Sequence, residues 1–123
     1  MTKEAALHQF FNSFGIPFYP VASVPDDAQF PWGTYELITS AWLEGKVSLT
    51  VNLWYYTTDE EPPNAKAREM SEAIGMGGKI LRCDGGAIWL KRGAPWCRSL
   101  RDAADPRIKR RYINVTAEYV TMD

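Results

Sequence analysis

The stretch that decides the fold is KVSLTVNLWYY, residues 46–56. Val47, Leu49, Val51, Leu53 and Tyr55 alternate with Lys46, Ser48, Thr50, Asn52, Trp54 and Tyr56. Successive side chains of a strand point to opposite faces, so this period of two predicts one face in a core and one face out. It contradicts a helical period. The five inward side chains could each contribute about 1.5–3 kcal/mol on full burial. That is an upper bound, because ordering each residue's backbone costs about 1–2 kcal/mol. The outward row is uncharged after Lys46 and ends in two aromatics, Trp54 and Tyr56. Such a face wants a partner.

The same alternation returns near the C-terminus, where Lys109–Thr121 puts Arg111, Ile113, Val115, Ala117 and Tyr119 on one face. Tyr112, Asn114, Thr116 and Glu118 take the other. Lys79–Cys83 and Ala87–Lys91 are β-rich runs flanking Asp84-Gly85-Gly86, a hairpin signal. Gly93–Pro106 is expected as a long loop, with its SLRDAA portion forming a short helical turn. On the N-terminal side of the organising strand, Thr34–Trp42 reads as a second strand, joined to it by a short hairpin at Leu43-Glu44-Gly45. Pro25–Trp32 reads as an exposed loop, and Ile16–Val24, with two prolines, as an extended edge.

Two stretches carry a helical period. Residues 2–14 place Leu7, Phe10, Phe11 and Phe14 on one stripe, with Thr2 as N-cap and Gly15 as terminator. Ala65–Ile74 places Ala67, Met70 and Ile74 on one face, with Asn64 as cap and Gly75 as stop. Antiparallel strand pairs with few helices predict an α+β fold: one domain over 1–123, a mostly antiparallel sheet and two helices packed on one face. The other face is then the uncharged row of Ser48, Thr50, Asn52, Trp54, Tyr56, Tyr112, Asn114 and Thr116.

The composition narrows the function classes. The 123 residues are 46% hydrophobic, enough for a core, and no apolar run approaches the length of a membrane span. The N-terminus does not read as a signal peptide, so Cys83 and Cys97 are expected as free thiols. Net charge is −1, but residues 1–78 hold four basic and ten acidic residues (−6) and residues 79–123 hold ten basic and five acidic (+5). This asymmetry means either neutralisation across the fold or a subunit with an acidic and a basic side, suited to head-to-tail association.

Candidates for chemistry are few. His8 is the single histidine and stands without a second ligand at metal spacing. Asp26-Asp27 and Asp59-Glu60-Glu61 read as solvated loop charges rather than a cation site. Gly75-Met76-Gly77-Gly78 follows a helix, the wrong side for a phosphate loop. No catalytic residue, cofactor or metal is expected. Trp96, ahead of Arg98 and Arg101, could stack bases, but core aromatics with solvated or interface arginines are the preferred reading. The candidate contact residues are therefore Trp54, Tyr56, Tyr112, Trp96, Arg98 and Arg101. A fold-back of the Trp96 loop over Trp54 and Tyr56 is the alternative to a subunit contact there.

Several passages together carry a family likeness: FFNSFGIPFYP (10–20), VP…FPWGTYEL (24–37), the strand VSLTVNLWYY (47–56) and the Pro-bounded helix after it. The late DGG hairpin (84–86) and RRYINVTAEYV (110–120) continue it. In this order of elements the chain resembles the tail-terminator and minor-tail-protein group of long-tailed phages. The resemblance implies a non-enzymatic virion structural protein that assembles in the host cytoplasm into a hexameric ring on the tail. Its partners would be further copies of itself, the tail tube protein and the head–tail connector, with no membrane and no specific nucleic acid. A head–tail connector or completion protein is the near alternative, and a small nucleic-acid-binding module is the alternative of another class.

Overall fold

The centre of the sheet is the pair formed by Lys46–Tyr56 (β3) and Ile108–Thr121 (β6). They run antiparallel without interruption from Lys46↔Glu118 to Tyr56↔Ile108. In the computed structural model, which describes residues 1–123, four further strands flank this pair. Trp32–Tyr35 (β2) lies antiparallel to β3, and Phe18–Pro20 (β1) lies parallel to β2 at the edge. On the other side Gly86–Arg101 (β5) pairs with β6, and Lys79–Cys83 (β4) closes that edge, giving the order β1-β2-β3-β6-β5-β4. The architecture is α+β, with a mostly antiparallel sheet.

The alternation does what the sequence requires of it. Leu49, Val51 and Leu53 of β3, Ile113, Val115 and Ala117 of β6, and Ile88 and Leu90 of β5 are all fully buried. They form a single cluster with residues of both helices, so both helices cover the same face. The first helix, Lys3–Phe11 (α1), is capped by Thr2, whose Oγ1 accepts from the Ala5 N–H at 3.0 Å. A 3₁₀ turn over Asn12–Phe14 then ends at Gly15 in the left-handed region. The α1 segment lies across the sheet: the Met1 amino group reaches Asp84 beyond β4, while Asn12 brackets Phe18 of β1. Phe11 stacks on Tyr35 with ring centroids 4.8 Å apart.

The second helix is Glu61–Ile74 (α2), which starts earlier than Ala65. Pro62 and Pro63 fit its first turn, where the backbone N–H groups have no intrahelical acceptor to lose. Asn64 is therefore inside the helix and does not cap it; Asp59 Oδ1 accepts from the Glu61 N–H instead, at 3.0 Å. Glu60 and Asn64 both turn to Arg111, the one buried charge of the core face (2% exposed). Its guanidinium donates to Glu60 Oε1 at 2.7 Å and to Asn64 Oδ1 at 2.8 and 3.1 Å. Asp59-Glu60-Glu61 is thus a helix start tied to the sheet, not a set of free loop charges.

Three further expectations are corrected. The second strand is Trp32–Tyr35, displaced from Thr34–Trp42, and no tight hairpin at Leu43-Glu44-Gly45 joins it to β3. Glu36 ends the pairing: its N–H donates to Thr50 O, and its carboxylate accepts the Thr50 N–H at 2.7 Å. The chain then crosses the end of the sheet, where Ile38 O accepts from Tyr119 Oη at 2.5 Å and Trp42 N–H donates to Thr121 O. The Gly93–Pro106 segment is largely strand, because β5 continues to Arg101, and SLRDAA forms no helix. The ladder slips between Arg92 and Cys97, where Pro95 has no N–H to give it. Lastly, Trp32 belongs to β2 rather than to the preceding loop.

Candidate interaction surface

The face of the sheet away from the helices carries the candidate site. Residues directly opposite in neighbouring strands share a face. The register therefore aligns Trp32, Trp54, Arg110 and Leu100 in one row across β2, β3, β6 and β5. The next row is Thr34, Asn52, Tyr112 and Arg98. Trp32 and Trp54 stack with centroids 4.4 Å apart and planes at 16°. The Arg110 guanidinium sits 5.5 Å from the Trp54 ring and 5.9 Å from Tyr112, and that of Arg98, from β5, lies 5.7 Å from Tyr112. The result is a continuous aromatic–arginine band.

Polar groups lock the band in place. Arg110 Nε donates to Asn52 Oδ1 at 2.8 Å, and the Thr50 and Tyr112 hydroxyls lie 3.3 Å apart. At the top of the sheet Tyr56, 46% exposed, packs against Phe30 and under the Arg107 guanidinium, 4.8 Å away. Asp105 Oδ1 accepts from the Arg107 N–H and Nε, which holds its carboxyl below the usual range and raises the Arg107 guanidinium in turn.

Of the six residues read as contact candidates, Trp54, Tyr112 and Arg98 share this face and Tyr56 stands at its upper end. Trp96 does not belong with them. It packs on the helix side, with Nε1 donating to Ala67 O of α2 at 3.3 Å, so no Trp96 loop folds over Trp54 and Tyr56. Arg101, opposite Lys109 in register, has the phase of the helix side, but at the strand end it borders a recess of about 360 Å³ on the outer face. Trp54, Leu100 and Ile108 line that recess together with Arg101, Arg110 and Asp102. Trp32 and Arg110 complete the band without having been singled out. The phase of Arg110 was readable from Tyr112, two residues on; the partnership of Trp32 with Trp54 depends on a pairing between strands.

Charges on the two sides of the sheet differ. Only Glu60 forms ion pairs from the acidic part of the chain to side chains of the basic part, at 2.7 Å to Arg111 and 3.5 Å to Lys109. The Arg111 hydrogen bond holds the Glu60 carboxyl below its ordinary value. Asp26 and Asp27 on the β1–β2 connection, and Arg98 and Arg101 on β5, have no ion-pair partner. His8 Nδ1 lies 3.2 Å from the Tyr35 hydroxyl.

Cys83 and Cys97 are free and half-buried, and burial pushes both thiols up. Their positions lie opposite points eight residues apart along β6 (by way of Gly86↔Thr121 and Cys97↔Ile113), a separation of roughly 26 Å. No disulfide spans that. No three His, Cys, Asp or Glu side chains are grouped to hold a metal ion, and no helix is long and apolar enough to cross a membrane. Compared with known proteins, the chain matches no protein-family model and no curated protein.

Proposed function

We propose that the protein is a structural subunit of a phage or prophage tail, a terminator whose copies close into a hexameric ring that caps the tail tube and meets the head. The observation that carries this reading is the sheet face on which no helix packs. Both helices sit on the opposite side, yet this face bears a locked band of Trp54, Arg110, Tyr112 and Arg98 rather than the charged surface of a solvated sheet. Large aromatics and arginines are the residue types that anchor protein interfaces. The leftover charge on either side of the sheet supports heterologous contacts, in which two different surfaces meet and repeat around a closed ring. In this reading the protein acts by assembly, in the virion tail, and no catalytic step is assigned to it.

Native mass spectrometry across a dilution series, with circular dichroism on the same samples, tests the reading. The expected result is a six-subunit species that dissociates on dilution, and that Trp54→Ser with Tyr56→Ser weakens without loss of fold. A protein that stays monomeric and retains a single-stranded oligonucleotide at moderate salt would instead be a nucleic-acid-binding module.

A further inference from the structure

Most charged side chains of this protein are already engaged within the chain. Among the acidic residues of the first 78, Glu60, Glu61 and Glu69 form ion pairs. Glu36, Glu44 and Asp59 accept hydrogen bonds from backbone or side-chain groups. Glu4 and Glu72 stand singly on helices. Only Asp26 and Asp27 remain as an adjacent pair without any side-chain partner, both exposed, on a turn closed by Ala28 N–H to Pro25 O.

The basic third leaves a matching remainder. Lys91, Arg107, Lys109 and Arg111 are ion-paired, and Arg92 and Arg110 donate to Ser71 and Asn52. Lys79 and Arg82 stand on the β4 edge. Arg98 and Arg101 are exposed and their side chains donate no hydrogen bond; Arg101 lines the recess with Trp54, Leu100 and Ile108, and Arg98, beside the Tyr112 ring, stands three residues back along β5. Asp102 at that recess is spent on the turn: its Oδ1 accepts the N–H groups of Ala104 and Asp105.

We infer that the Pro25–Gln29 turn of one copy docks at this recess of the next, with Asp26 and Asp27 pairing to Arg98 and Arg101. The assignment rests on the ring reading above and names the surfaces that would form it. The acidic turn belongs to the β1–β2 connection, and Arg98 and Arg101 stand on β5, three strands from β2, or roughly 14 Å at the usual strand spacing. The turn leads into Phe30, which packs on Tyr56 at the end of β3, and the recess lies at that same end, beside Ile108. A contact between two sites at one level repeats sideways with little shift along the strands, the condition for a ring rather than a filament. Pro25 and Ala28 bring apolar atoms beside Trp54, Leu100 and Ile108, and two carboxylates meet two guanidinium groups, the pairing that arginine favours.

Charge reversal tests this. Asp26→Lys with Asp27→Lys, and separately Arg98→Glu with Arg101→Glu, should each weaken assembly by about tenfold or more in dissociation constant, through like-charge repulsion at the contact. An equimolar mixture of the two variants can alternate around the ring, where every interface pairs Lys with Glu or Asp with Arg, so the mixture should assemble where neither variant does alone. The four substitutions combined in one chain should restore assembly. Melting curves check folding, and Asp27→Asn and Arg101→Ala serve where a reversal unfolds the chain. If wild type assembles and the reversals leave it unchanged, or the combined chain stays as weak as either pair, the docking assignment is wrong and the ring reading stands. If wild type remains monomeric at every concentration, both fall.

Discussion

Replacing Glu60 by Gln is a test of how α2 is held to the sheet. Arg111 is buried while Glu60 is 57% exposed on its side chain, so the two ends of this ion pair differ in what they lose when it breaks. A charged hydrogen bond contributes about 1.5–3 kcal/mol when shielded. Exposure of the carboxylate reduces that, and Asn64 Oδ1 and Arg110 O still accept from the guanidinium. The expected loss for Glu60→Gln is about 1 kcal/mol, or a fall in Tm of about 4 °C. Arg111→Met should cost no more than this: Glu60 and Asn64 are both exposed and regain water, and the methionine keeps most of the buried stem. The pH dependence fixes the cause. Arg111 holds the Glu60 carboxyl below its unfolded value, so the contribution is fully present above about pH 4.3 and is lost as pH falls through the lower folded value. Urea melts of wild type and Glu60→Gln should therefore differ at pH 7 and converge towards pH 3. A difference that persists undiminished in acid would mean that Glu60 acts through packing and not through its charge.

Two further outcomes follow from the packing. A Cβ added at Gly33 would come within 2.4–2.8 Å of the Phe18 ring, which is buried against Phe11 of α1, so Gly33→Ala should destabilise by about 1–3 kcal/mol in a urea melt. Burial pushes the Tyr119 phenol up to about 12, so the unfolded chain ionises first, and stability should fall as pH rises from about 10 towards that value. Tyr119→Phe should flatten this alkaline decline in thermal melts; an unchanged decline would assign it to another group.

What could be read from the chain in advance was whatever depends on neighbours in sequence. The odd-numbered row of β3 and the Arg111–Tyr119 row of β6 declare their faces by alternation alone, and Thr2 and Gly15 mark the ends of the first helical segment by local backbone chemistry. The misreadings share a different cause. Thr34–Trp42 is rich in β-formers, yet Glu36 bonds to Thr50 through both backbone and side chain and turns the chain away; that choice belongs to a residue fourteen positions later. Gly93–Pro106 holds loop-forming glycine and prolines, but β6 supplies a long template that carries β5 past its bulge. Trp96 and Trp54 are the same residue type, yet they end on opposite faces of the sheet. Trp96 keeps the core-side phase of Ile88 and Leu90 on β5 and so meets α2, whereas Trp54 alternates with the buried Leu53 and Tyr55 of β3 and so lies outside.

That separation also bears on what the outer face can hold. A platform for single-stranded nucleic acid offers open aromatic faces on which bases stack. Here the Trp54 face is taken by Trp32, Arg110 lies close to both Trp54 and Tyr112, and Asn52 fixes the Arg110 head group. An incoming base would have to displace contacts that already exist. A protein surface would not: it needs the edges and rims of the band, and side chains ordered in advance lose little rotamer freedom on association, a cost of about 0.5–1.5 kcal/mol for each one that must be fixed. The same locking that closes the rings to bases therefore favours the rigid, repeated contact that the proposed ring requires.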